Sequence, residues 1–121
     1  DLMIGNNPSI ASESAINAVG KVYVTADPKP FMNNSLRRPM GPMKDLFTIW
    51  NGQAIYKIGD LTTPTLVIYG DQDLFADHNL YSKLNNVKIK QEVILPEATH
   101  WLIYEKTRAK FVDDVVLFLN K

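Results

Sequence analysis

Pro64–Asp73, PTLVIYGDQD, is the stretch on which the fold turns. Thr65–Tyr69 runs without any polar–apolar alternation between a proline and a glycine. A run of that kind reads as a strand buried on both faces, the usual look of a parallel strand. Downstream, ADHNLYSKLNN (76–86) reads as a short helix with Asp77 as its N-cap. VKIKQEVILP (87–96) alternates and then turns apolar, which predicts a second strand. EKTRAKFVDDVVLFLNK (105–121) predicts an amphipathic helix with Phe111, Val115, Phe118 and Leu119 on one face. The order strand, helix, strand, helix is one right-handed parallel crossover with a covering helix, so the fold class is α/β.

Upstream the pattern is different. SIASESAINAVGKVYVTAD (9–27) places Ile16, Val19 and Tyr23 at helical spacing, with Ser12 or Ser14 available as cap. Gly20, Val22 and Val24 work against that helix. Residues 27–42 carry four of the seven prolines and read as loop. Pro42 suits the first turn of a helix that Gly52 would end, with Met43, Leu46, Phe47 and Trp50 as its apolar stripe and Trp50 expected in a core. Nothing in the first 60 residues reads as a partner strand for Thr65–Tyr69, so the sheet is expected to be truncated. The start DLMIGNNPS has no initiator methionine and no signal-peptide core, which points to a start inside a longer protein.

Composition narrows the function. With 121 residues, one domain can bury a core. Lys+Arg and Asp+Glu are both 13, so the balance gives no reason to expect nucleic acid or anionic membrane as partner. No apolar run approaches the roughly 18 residues a membrane helix needs. Cysteine is absent, which removes disulfides and thiolate chemistry and leaves a lean towards the cytoplasm. Two histidines without cysteine are a poor metal inventory, so no metal is expected, and His78 reads as the surface start of a helix.

Parallel α/β sheets carry their sites at the carboxyl ends of the strands. Two loops leave such ends here, GDQDLFADH (70–78) and EATHW (97–101). An acid on the first and His100 on the second are expected to be neighbours. An acid bonded to an imidazole fixes its tautomer and stabilises the imidazolium. Trp101 and Phe75 are the candidates for lining a substrate pocket. Arg37–Pro39 offers two arginines that could hold a carboxylate or phosphate, although arginines in a loop are usually just solvated, and the methionine-rich FMNNSLRRPMGPM (31–43) fits either a plain loop or a lid.

The ordered set LTTPTLVIYGDQD (61–73) and VILPEATHWLIYEKTRAKFVDDVVLFL (93–119) resembles the C-terminal part of an α/β-hydrolase. The resemblance covers about residues 60–120. It implies a C-terminal fragment of that fold: parallel strands with covering helices at 61–121, plus a lid or cap remnant with connecting helices at 1–60. It implies that Asp73 is the triad acid, with Asp71 the nearest rival and Asp77 a lesser one, and that His100 is the base. It implies no cofactor, and a small apolar acyl substrate (ester, thioester, lactone or amide). The family's Gly-x-Ser-x-Gly elbow is absent: none of Ser9, Ser12, Ser14, Ser35 and Ser82 is so flanked. The chain alone is therefore expected to be inactive, its partner being the absent N-terminal half of a hydrolase. Two alternatives stand beside this. One is a non-catalytic interaction module that self-associates through its open sheet edge. The other is a dehalogenase-like relative with an aspartate nucleophile.

Overall fold

The computed structural model describes residues 10–26 and 40–121. The expectations for residues 1–9, for the loop over 27–39 and for Arg37–Pro39 lie outside the described residues. Helix α1 spans Glu13–Ala26, running through Gly20, and α2 spans Gly41–Trp50. A 3₁₀ turn at Ile58–Asp60 precedes strand β1, Thr65–Gly70. The short helix α3, Leu80–Lys83, leads to β2, Lys90–Leu95. A second 3₁₀ turn, Leu102–Tyr104, leads to α4, Arg108–Leu119.

β1 and β2 pair in parallel, from Thr65 opposite Lys90 to Gly70 opposite Leu95. Alternation along the strands sends their side chains to two faces. On one face Val67 and Tyr69 pack with Leu84 and Val87, against Leu80 and Tyr81 of α3. On the other, Ile68, Val93 and Leu95 pack with Ala98, Leu102 and Phe111 of α4. Each face of β1 is thus covered by a helix, as an unbroken apolar strand requires. The Lys90 ammonium donates to the carbonyls of Tyr81 and Leu84, both at 3.1 Å, at the carboxyl end of α3. A cation is favoured there by the unpaired carbonyls and the helix dipole.

Helix α2 begins with Pro42 in its first turn and stops before Gly52, whose φ of 80° lies in the left-handed region that favours glycine. Its apolar stripe is not a core. Trp50 is 59% exposed and meets the exposed Phe47 edge-on at 5.6 Å, while Met43 and Leu46 are only half-buried. Leu119, expected on the buried face of α4, is likewise exposed, whereas Phe111, Val115 and Phe118 are half-buried. Asp77 lies three residues ahead of α3 rather than at its cap. Its carboxylate accepts the Asn79 N–H at 3.0 Å, forming a turn before the helix starts.

The segment before α1 joins the second half of the chain. Ala11 bridges Glu105, the Ser12 N–H donates to the Tyr104 carbonyl at 2.8 Å, and the Lys106 N–H donates to the Ile10 carbonyl at 2.8 Å.

Candidate functional site: an acid–imidazole pair

Both strands end where two loops must pass close together. A Cβ on Gly70 would overlap the carbonyl of Ala98, so the last residue of β1 has to be glycine. The two loops are stitched to each other. The Gln72 N–H donates to the Ala98 carbonyl at 2.9 Å, and the Ala98 N–H donates to Asp71 Oδ1 at 3.2 Å. Asp71 is thereby committed to joining the loops.

Asp73 occupies the turn just beyond and is 4% exposed. Its Oδ1 accepts the N–H groups of Phe75 at 2.8 Å and Ala76 at 3.1 Å. Its Oδ2 lies 3.0 Å from Nδ1 of His100. Two backbone donors hold one oxygen and leave the other aimed at the imidazole, a charge-assisted contact when the carboxylate is ionised. The His100 side chain is half-exposed. Its ring meets Phe75 at 5.3 Å and Trp101 at 5.7 Å, both edge-on. Such contacts restrict how the ring can turn. With Nδ1 engaged, Nε2 is the nitrogen left for proton transfer. Asp73, His100, Phe75 and Trp101 are therefore brought together, while Asp71 and Asp77 bond elsewhere.

Asp77 pairs with Lys83 at 2.6 Å. The Lys83 ammonium, and then the Asn79 N–H, hold its carboxyl below the usual range. His78 is exposed, as the sequence suggested, and lies in the turn two residues ahead of α3. Its Nε2 lies 2.8 Å from the Asp73 carbonyl oxygen and its ring stacks on Tyr69 at 4.9 Å, pinning the acid's loop to the strand below. The Tyr69 hydroxyl donates to Glu92 at 3.3 Å. Burial, and then the Glu92 carboxylate, push the Tyr69 pKa up.

Glu105 was not singled out by sequence, yet it is as buried as Asp73 and holds the turn that carries His100. The signal available was an acid following the apolar stretch WLIY, five residues after the histidine. Among the described residues no group of three or more His, Cys, Asp or Glu is placed to hold a metal ion. Nor is any described helix long and apolar enough to cross a membrane.

No protein-family model matches the chain, and no curated protein does either. Among solved structures, the chain is similar to a crystal structure of a His-tagged serine hydrolase involved in carbazole degradation, the CarC enzyme. The TM-score is 0.49 and the identity 24%, over 63% of this chain and 31% of that one. The chain thus spans less than a third of the length of that protein.

Proposed function

We propose that this chain supplies the acid and the base of a hydrolytic acyl-transfer site of the α/β-hydrolase kind. The observation that carries the reading is the 3.0 Å approach of Asp73 Oδ2 to His100 Nδ1 at the carboxyl end of a parallel strand pair. In this reading Asp73 holds His100 in the tautomer with its proton on Nδ1. Nε2 then takes the proton of an attacking hydroxyl and returns it to the leaving group. Asp73 stays ionised and offsets the charge that builds on the imidazole. Phe75 and Trp101 flank the ring and suit an apolar acyl substrate. The nucleophile is contributed from outside these 121 residues, since no serine here sits on an elbow.

The test is hydrolysis of p-nitrophenyl esters by the full product of the encoding gene. Activity should be present there and absent from the 121-residue chain. His100→Ala should abolish it, and full activity in that variant sinks the reading. A nucleophilic aspartate would use the same acid–imidazole pair, and haloalkane turnover in place of ester turnover would reveal it.

A second reading is favoured by the apolar surface of β2 and α4. Ile94, Val112, Val116, Leu117 and Leu119 are all exposed. Under this reading the chain works by association and has no chemistry of its own.

A further inference from the structure

Glu105 takes no part in the proton transfers above, yet it is a carboxylate only 4% exposed. Both of its oxygens face Thr99. The Thr99 N–H lies 3.0 Å from Oε2 and 3.3 Å from Oε1, and the Thr99 hydroxyl donates to Oε1. That hydroxyl oxygen in turn accepts the Trp101 N–H at 3.3 Å. The residues on both sides of His100 are therefore tied to one carboxylate, Thr99 directly and Trp101 through the Thr99 hydroxyl.

Glu105 is itself anchored from outside the turn. Its backbone bridges Ala11, and its neighbours Tyr104 and Lys106 bond Ser12 and Ile10. Burying a carboxylate is unfavourable unless its lone pairs are met. Here the histidine's own turn meets them, so the carboxylate and the turn fix each other's place.

We propose that Glu105 is a positioning residue for His100. It sets the 99–101 turn so that Nδ1 of the imidazole meets Asp73 Oδ2. The proposal rests on the reading of His100 as the base. Its consequence is that a buried acid with no bond to the imidazole controls the tautomer of the histidine.

The test uses the 121-residue chain and long-range ¹H–¹⁵N spectra of the histidine rings. The native chain should show neutral His100 as a single Nδ1–H tautomer with a low-field Nδ1 proton. Glu105→Ala should lose that proton signal and give mixed tautomers, with amide dispersion retained. Glu105→Gln, which keeps an acceptor oxygen at the same reach, should restore the signature. A folded Glu105→Ala chain with an unchanged His100 signature overturns the proposal. If Glu105→Ala does not fold, Thr99→Val decides: loss of the low-field proton supports the role, and its persistence overturns it. These spectra read orientation and not turnover. Ester hydrolysis surviving in His100→Ala would remove the catalytic reading and leave them unchanged. An unmoved His100 in Glu105→Ala would remove the positioning role and leave the catalytic reading standing.

Discussion

Asp73 uses its two oxygens differently, and a substitution there separates structure from chemistry. Asp73→Asn keeps an oxygen for the Phe75 and Ala76 N–H groups but sets an amide N–H₂ against Nδ1. In the full gene product we expect ester turnover to fall by about 10⁴, as when a triad acid is neutralised and the tautomer is wrong. Stability should fall by no more than about 1.5–3 kcal/mol, the worth of a hydrogen bond to a charged group, and the chain should stay folded. Parallel steady-state kinetics and urea unfolding check both halves. Asp77 serves as a contrast, since its pKa is lowered by Lys83 and the Asn79 N–H. A depressed carboxylate contributes stability above its unfolded pKa of about 4, and the contribution is lost as pH falls through the folded value. Asp77→Asn should therefore shift the urea midpoint at neutral pH and match the native chain in acid. Asp73 and His100 could be read as neighbours in the sequence because each lies on the short loop that leaves a strand's carboxyl end. Glu105 and His78 could not, because each acts through partners that only the folded loops bring close.

Strand pairing is the element-level event that creates the site. Gly70 lets the loop after β1 lie against the Ala98 backbone, and the Asp71 and Gln72 bonds depend on that contact. Gly70→Ala should cost about 1–3 kcal/mol as an overpacking substitution, and the separation should also break the His100–Asp73 contact. Thermal melts and histidine spectra read the two effects. Leu95 is fully buried under the histidine loop. Leu95→Ala should cost about 2–5 kcal/mol by chemical denaturation, the range for a buried leucine that leaves a cavity. β1 was legible as an apolar run between proline and glycine, and β2 as a segment that alternates and then turns apolar before Pro96. The stripe of α2 misled, because a helical apolar period says which residues share a face and not whether another element covers it. The length of α3 misled because the turn at Asp77 and the His78 bond to Asp73 take up residues that carry a helical pattern.

At the scale of the molecule, a two-stranded parallel sheet is a small platform with two strand edges, and neither edge has a further strand among the described residues. The apolar side chains of β2, α2 and α4 stay in contact with water, and the net charge is zero. Unpaired strand edges and exposed apolar area both favour association. We expect the isolated chain to show an apparent mass that rises with concentration in size-exclusion with light scattering. A compact monomer at every concentration, with one cooperative melt, would count against this. The expected division into 1–60 and 61–121 meets an added feature, the bonding of residues 10–12 to 104–106. No local sequence pattern reports a contact across that separation.

The proposed chemistry depends on one hydrogen bond, that between Asp73 and His100. Its most direct test is the state of the ring nitrogens of neutral His100, in the native chain and in Asp73→Asn. A proton held on Nδ1 with a low-field resonance is expected in the native chain, and loss of that resonance in the variant. A native His100 with its proton on Nε2, or one whose spectrum is the same in Asp73→Asn, would contradict it.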